Sequence, residues 1–147
     1  MLILASNKRA TFDYHILETF EGGLVLTGGE VKSIKAGQAQ LKGSFVFIRG
    51  KTAVLKGAYI APYKPVGNQD DYDAYRDRKI LLHAREIQKL LAKQQTERLT
   101  IVPICVYVKR NLVKIEIGLA RGKRQYEKRE TIKKRDVERH LRERMRE

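Results

Sequence analysis

The chain has 147 residues, 42% of them hydrophobic, which is enough for one domain with a single core. Its 31 Lys and Arg outnumber its 17 Asp and Glu, so the net charge is +14 at neutral pH. This charge favours a polyanionic partner. Nucleic acid comes first, because neutralised phosphates release counterions, and an anionic membrane surface is the alternative. Each apolar run is shorter than the about 18 residues that cross a bilayer, which excludes a membrane-spanning helix.

Cysteine and histidine usage gives no sign of a disulfide or a metal site. The single Cys105 cannot form an internal disulfide, and its apolar surroundings predict a buried thiol in a reducing compartment. The first six residues are too short for a signal peptide and lack its basic start, so we expect a cytoplasmic protein. The three histidines are scattered without ligand spacing, and we expect neither a metal nor another cofactor.

The first part of the chain shows strand periodicity after a short basic lead-in at residues 7–10. Residues 13–20 alternate between apolar and polar side chains, which predicts a strand. The glycine pair at 22–23 interrupts the pattern, and 24–26 resume it as a buried strand. A glycine pair inside such a pattern predicts a bulge or a sharp bend.

A short helix and a hairpin follow. Residues 30–36 predict a helix of two turns, with a capping residue at Thr27 or Gly28 and Gly37 at its end. The apolar runs at 44–48 and 53–60 are separated by a tight polar connection, which predicts two antiparallel strands.

The next segment alternates between loop, strand and helix. Residues 61–77 have no periodicity and predict a long surface loop. The apolar run at 79–82 leads into a helical pattern at 83–95. Residues 99–108 are rich in β-branched side chains, and Pro103 within them predicts an edge strand or a bulge.

The last strand alternates strictly at 112–117, after a turn at 109–111, and ends near Leu119. Six or seven strands joined mostly by short turns favour antiparallel pairing, because parallel strands need long crossovers. We therefore predict a mainly β fold: a small antiparallel β-barrel of OB-like or Greek-key kind with two or three peripheral helices. This body, with nucleic acid as its first candidate partner, would span residues 1–120, and a basic C-terminal tail would span 121–147.

The tail carries 12 basic against six acidic residues, a net charge of +6. Its few apolar residues cannot offset the entropy of ordering, so we expect it to be disordered or marginally helical when free. Two interpretations remain open: a solvated basic tail, or a segment that folds against RNA. The residues around Tyr126 support two roles equally: its ring stacks on an unpaired base, or it packs on the barrel rim.

Catalysis has little support in the sequence. The acids Asp70, Asp71 and Asp73 could hold a divalent ion for nuclease chemistry, but loop acids of this kind are far more often solvated. The glycines and lysine at 118–123 lack the spacing of a phosphate-binding loop. We therefore predict a binding protein without enzymatic activity or a small-molecule substrate.

Five motifs occur in order along the chain. They are NKRA at 7–10, ETFEGG at 18–23, LTGGEVKS at 26–33, KILLH at 79–83 and GLARGKRQYEKR at 118–129. Through them the chain resembles the SsrA-binding protein family, also called small protein B, of bacterial trans-translation. Glu127 and Arg124 depart from the family's more frequent Asp and Lys, and both keep the charge.

The resemblance implies a monomeric adaptor that binds the tRNA-like domain of transfer-messenger RNA and delivers it to stalled ribosomes. The tail would occupy the decoding centre of the small-subunit ribosomal RNA and the empty mRNA channel, so that stalled nascent chains are tagged and released. The implied RNA contacts are Asn7, Glu21, Leu81 and Lys114, with Lys8, Arg9 and Lys32 as phosphate contacts. The implied decoding-centre residues are Gly122, Lys123, Arg124, Gln125, Tyr126, Lys128 and Arg129. The resemblance also favours stacking for Tyr126. The competing hypothesis is a basic OB-type ribosomal or assembly protein that binds ribosomal RNA directly.

Overall fold

A computed structural model describes residues 2–63, 72–123, 129 and 132–140. Within them the chain forms nine strands and three helices, and residues 132–140 form a further helix, here called the tail helix. The elements are β1 (Leu2–Ser6), α1 (Lys8–Asp13), β2 (Tyr14–Leu24), α2 (Gly28–Lys35), β3 (Ala39–Gln40), β4 (Phe45–Arg49), β5 (Thr52–Lys56), β6 (Tyr59–Ile60), β7 (Arg78–Leu81), α3 (Ala84–Glu97), β8 (Thr100–Lys109) and β9 (Leu112–Gly122).

The main sheet closes into a ring. Its strand order is β1-β8-β4-β5-β7-β2-β9, and β9 also pairs with β8. Each of these pairings is antiparallel, as the short connections predicted. The ring departs from a strict barrel at β4, which meets β8 through the single residue pair Val46–Ile101. The mainly β, antiparallel prediction is confirmed, with a ring-like sheet in place of a regular barrel.

The core fills this ring. Inward-facing Leu55, Ile101, Ile115 and Ile117 are almost completely buried. The strict alternation at 112–117 produces this pattern, because successive side chains of a strand point to opposite faces. Burying each such aliphatic side chain stabilises the fold by about 1.5–3 kcal/mol. Helices α2 and α3 add Ile34 and Leu90 to the same cluster.

The predicted helices and turns are largely confirmed. Thr27 caps α2, because its Oγ1 accepts from the Glu30 N–H while the Glu30 carboxylate accepts from the Thr27 N–H. The residue after the C-cap, Gly37, has a φ of +79°, a conformation that glycine adopts without strain. In the β8–β9 turn, Arg110 and Asn111 both have positive φ, as a two-residue hairpin turn requires.

The pairing of β8 and β9 shifts register between Pro103 and Cys105, so the predicted bulge is present. The hairpin of β4 and β5 has the predicted pairing, from Phe45–Lys56 to Arg49–Thr52. The strand predicted at 53–60 is divided, because β5 ends at Lys56, Gly57 has a φ of +84°, and β6 pairs with β3 instead.

The glycine pair at 22–23 neither interrupts the strand nor forms a bulge, so the predicted break is absent. Strand β2 continues through both residues to Leu24, and its register shift lies between Ile16 and Glu18. A methyl group at Gly22 would lie 2.6 Å from Ile80 Cγ2. The missing side chain at Gly22 therefore lets β7 approach β2 closely. Of the predicted strand at 24–26, only Leu24 is in a strand.

The N-terminal segment holds two elements that the periodicity did not reveal. Residues 2–6 form β1 on the edge of β8, and the basic lead-in continues into α1. Ala10 of α1 packs against Val102 and Ala120 on the outer surface of the ring. At the other end of the chain, β9 runs three residues past Leu119 to Gly122. The division of the chain at residue 120 remains a prediction.

Candidate nucleic-acid interface

Three of the predicted RNA contacts meet around one glycine. Gly23 of β2 pairs with Leu81 of β7 on one side and with Lys114 of β9 on the other. Glu21 lies two residues before Gly23, on the same face of the strand. Directly paired residues lie about 5 Å apart, so these side chains form one surface. We call Glu21, Gly23, Leu81 and Lys114 the Gly23 patch.

The absence of a side chain at Gly23 opens a shallow concavity of about 320 Å³ beside the patch. Leu81 is 55% exposed and Leu112 is 59% exposed, and both line it together with Val31 and Lys114. Exposed leucines next to a lysine offer an apolar surface for an unpaired base and a cation for its phosphate.

The Glu21 carboxylate is held by two neighbours. Tyr107, 2% exposed, donates its O–H to Glu21 Oε2, and Lys109 Nζ lies 3.5 Å from the same oxygen. The Tyr107 hydrogen bond, helped by Lys109 and Lys114, lowers the pKa of Glu21 despite the opposing effect of burial. The patch therefore presents an ionised acceptor, which suits N–H or O–H donors of a base or a ribose and repels phosphate.

Asn7 serves the fold as well as the surface. It is 7% exposed, its Nδ2 donates to Pro103 O at 2.9 Å, and its backbone N–H donates to Ile104 O at 2.8 Å. These bonds fasten the start of α1 to β8. The adjacent Lys8 and Arg9 are exposed. Arg9 Nε lies 3.8 Å from an Asp13 oxygen.

The predicted RNA contacts do not form one cluster. Helix α1 joins β2 at Tyr14, nine residues along the strand from Gly23. The contacts on α1 therefore lie roughly 30 Å from the Gly23 patch. Lys32 is at a third position, on the exposed side of α2, with its Nζ 5.7 Å from the Tyr63 ring centroid. It directly follows Val31, which lines the concavity next to the Gly23 patch.

The first residues of the tail motif are part of the folded body. Gly122 pairs with Tyr14 at the end of the ring. Lys123 donates its backbone N–H to Asp13 O at 2.8 Å and its Nζ to Thr11 O at 2.9 Å.

Arg129 is helical and exposed. Arg135 of the tail helix donates to Thr11 Oγ1 at 3.1 Å. Four predicted positions lie outside the described residues: Arg124, Gln125, Tyr126 and Lys128.

A buried ion cluster was missed by the sequence analysis. Arg78, fully buried at the start of β7, donates to Glu30 Oε2 through Nε at 2.9 Å and Nη2 at 2.7 Å. Arg76 donates to both Glu30 oxygens, and the Tyr72 hydroxyl, which donates to Ile60 O at 2.8 Å, lies 3.2 Å from Oε2. Arg78 also donates to Ala58 O at 2.7 Å. This cluster fixes the start of β7, the strand that carries Leu81, against α2.

The charge state of Glu30 follows from these bonds. Burial alone would raise its pKa, but hydrogen bonds from Arg76, the Thr27 N–H and Arg78 outweigh burial and lower the pKa to about 2. The sequence signal was weak, since arginines beside an apolar strand do not reveal which acid they meet.

The metal-dependent nuclease alternative has no metal site among the residues that the structure describes. Within them, no three His, Cys, Asp or Glu side chains are grouped as a metal site. Asp73 accepts the Tyr75 N–H at 2.9 Å, while Asp70 and Asp71 lie outside the described residues. Cys105 is half-buried, and burial raises the pKa of its thiol. In the described part of the chain, no helix has the length and apolar character to cross a membrane.

A ring of antiparallel strands with a partly apolar patch on a strongly basic chain defines a small OB-like nucleic-acid-binding protein. A sequence model of the family described as "SmpB protein" matches residues 4–147. The chain belongs to the SmpB protein family, which confirms the resemblance seen in its motifs.

Relatives support this membership over most of the chain. The SsrA-binding protein of Persephonella marina is 53% identical over 139 residues, covering 95% of this chain and 91% of the relative. That of Shouchella clausii is 47% identical over 148 residues, covering 98% and 94%. A chain of the solved structure "tmRNA-SmpB: a journey to the center of the bacterial ribosome" is 42% identical with a TM-score of 0.67, covering 86% of this chain and 92% of that one.

Proposed function

We propose that this protein is the RNA-binding adaptor of trans-translation in a bacterium. It binds the tRNA-like domain of transfer-messenger RNA and delivers that RNA to stalled ribosomes. It acts in the cytoplasm as a monomer and works by binding, without catalysis. Membership of a family whose relatives are named SsrA-binding proteins carries this proposal.

The Gly23 patch is the proposed centre of RNA recognition. Leu81 would pack against an unpaired base, Lys114 would bind a phosphate, and Glu21 would accept a hydrogen bond from a base or a ribose. Lys8, Arg9 and Lys32 would add phosphate contacts, which fix the orientation of the RNA. The role proposed for Asn7 is to hold α1 so that Lys8 and Arg9 reach the RNA.

The tail from Gly122 to Arg129 would read the decoding centre, and the rest would enter the empty mRNA channel. A net charge of +6 on 121–147 suits a path lined by ribosomal RNA. Because Gly122 and Lys123 bond to the body, they would set the point from which the tail departs.

A truncation tests this division of labour. A chain ending at Lys123 keeps all of β9 and its bonds to α1. We expect it to bind the tRNA-like domain within about threefold of the full chain, because the proposed contacts with this RNA lie in the body. It should fail to support peptide tagging on stalled ribosomes.

Leu81→Asp is the complementary variant, since it keeps the tail and places a charge in the Gly23 patch. It should weaken binding to the tRNA-like domain in a gel shift. If the truncation abolishes binding to this RNA, the proposed roles of body and tail are wrong. Direct, equally tight binding of the full chain to ribosomal RNA alone would favour the assembly-protein alternative.

A further inference from the structure

Strand β4 carries aromatic side chains on the outside of the ring. Val46 and Ile48 face the core, so Phe45, Phe47 and Arg49 face outward. The Phe45 and Phe47 ring centroids lie 6.4 Å apart, and Phe45 is 42% exposed. The apolar rings are therefore neighbours on an outer surface.

Cations surround these rings. Lys56 of β5 lies directly opposite Phe45. The Arg49 guanidinium lies 5.2 Å from the Phe47 centroid, a cation–π distance. Lys79 of β7 is in the same cross-strand row as Phe47, separated from it by Val54. We call Phe45, Phe47, Arg49 and Lys56 the aromatic strip.

The main contacts of the three helices lie on strands other than β4: Lys89 and Lys93 of α3 bind Glu18 of β2. Helix α1 packs on β2 and β8, and α2 packs on β1 and β6. Beside Phe45, a concavity of about 480 Å³ includes Arg9 and Lys42 in its lining. The exposed ring thus borders a groove with two further cations.

We propose that the aromatic strip is a second RNA-binding surface, which takes unpaired nucleotides with a base on the exposed Phe45 ring, supported from beside by Phe47. Aromatic faces accept any base, and Lys56, Arg49 and Lys42 would bind the intervening phosphates. The strip lies two strands from Leu81, about 10 Å around the ring, so one RNA or two could occupy both surfaces.

The observations favour RNA over an anionic membrane. Insertion into a lipid surface needs apolar side chains that protrude together. Phe47 does not protrude, because it lies half-buried between Val54 and the Arg49 guanidinium. Aromatic rings alternating with cations suit single-stranded RNA, because bases and phosphates alternate along such a strand.

Ultraviolet cross-linking tests the location of binding. The full-length chain is irradiated with a 12-residue oligouridine and digested with trypsin, which releases residues 43–49 as one peptide containing both rings. We expect uridine adducts on this peptide. They should persist in Glu21→Ala and disappear in the Phe45→Leu/Phe47→Leu double variant.

Affinity measurements test the physical cause. Phe45→Leu keeps an apolar side chain and removes the ring, so oligouridine affinity by fluorescence anisotropy should fall about tenfold. Phe45→Trp should retain wild-type affinity. Lys56→Ala should lower the slope of log affinity against log salt by about one, whereas Phe45→Leu should leave that slope unchanged. Tyr75→Leu is the matched control, because Tyr75 is 59% exposed and lies outside the strip.

Three results would overturn the inference: no adduct at 43–49, unchanged affinity in Phe45→Leu, or equal losses in Phe45→Leu and Tyr75→Leu. Binding to anionic vesicles that is lost in Phe45→Leu, without loss of oligouridine binding, would assign the strip to membranes. Repeating the cross-link with the tRNA-like domain and with ribosomes identifies the RNA that supplies the nucleotides. Failure of the tRNA-like domain to bind would refute the proposed function and leave the oligouridine result standing.

Discussion

The Tyr107 hydroxyl donates a hydrogen bond to the Glu21 carboxylate across the outer face of the sheet. The two residues come from β8 and β2, strands separated in the ring by β9. Tyr107 is buried, so its hydroxyl is fixed by packing, and it engages Oε2 of Glu21. The contact orients a carboxylate that would otherwise sample several rotamers in solvent.

Tyr107→Phe should therefore weaken binding to the tRNA-like domain about fivefold to tenfold, because the Glu21 acceptor loses its orientation. In a Glu21→Ala background the same change should have little further effect, since the two residues act through one contact. Gel shifts on the four proteins of this double-mutant cycle measure the coupling. Equal losses with and without Glu21 would mean that Tyr107 acts through general stability.

The Glu30 cluster predicts a loss of stability in acid. The pKa of Glu30 is about 2 in the folded protein against 4.5 for a free side chain. A carboxylate whose pKa is lower in the folded protein than in the unfolded chain stabilises the fold fully at pH values above its unfolded-state pKa. This stabilisation is lost as the pH falls through its folded-state pKa. The contribution, about 3 kcal/mol, should disappear between pH 4.5 and pH 2.

Urea unfolding of wild type and Glu30→Gln across this range measures the effect. Glu30→Gln should be less stable at neutral pH, because it leaves Arg78 buried without its counter-charge. The difference between the two proteins should narrow as the pH falls. A difference that stays constant down to pH 2 would contradict the assigned cause.

The two glycines of β2 make a matched pair. Gly22→Ala should lower the free energy of unfolding by about 1–3 kcal/mol, because its methyl group would overlap Ile80. Gly23→Ala should fold normally, since its methyl group would lie 3.6 Å from the nearest atom, Leu81 Cβ. It should weaken RNA binding by filling the Gly23 patch. Thermal unfolding and gel shifts on both variants separate the two effects.

Substitutions at Asn7 and Arg9 should affect different properties: stability for Asn7 and RNA affinity for Arg9. Asn7→Ala removes a buried donor to Pro103 O and should reduce the free energy of unfolding by about 1–2 kcal/mol. Arg9→Ala should leave stability nearly unchanged and reduce RNA affinity, with a shallower salt dependence. Calorimetry and gel shifts at two salt concentrations distinguish them. Unchanged stability in Asn7→Ala would refute its anchoring role.

Some features could be predicted from neighbouring residues alone. The Thr27–Glu30 capping box, the hairpin of β4 and β5 and the last strand are determined by local patterns, namely capping, turn geometry and alternation. The net charge of +14 and the five motifs indicate RNA and the family without reference to the tertiary structure.

Other features required the tertiary structure, because they depend on residues far apart in the chain. Local pattern suggested a bend at Gly22, whereas the close approach of β7 explains its missing side chain. Glu30 meets Arg78, 48 positions later, and Tyr107 meets Glu21, 86 positions earlier. Local alternation predicted the longer strands, and the charge and the motifs indicated the family, whereas the edge strand β1 was not recognised. Only the closing of the ring decided which side chains became neighbours, since strand pairing brings together residues that no local pattern connects.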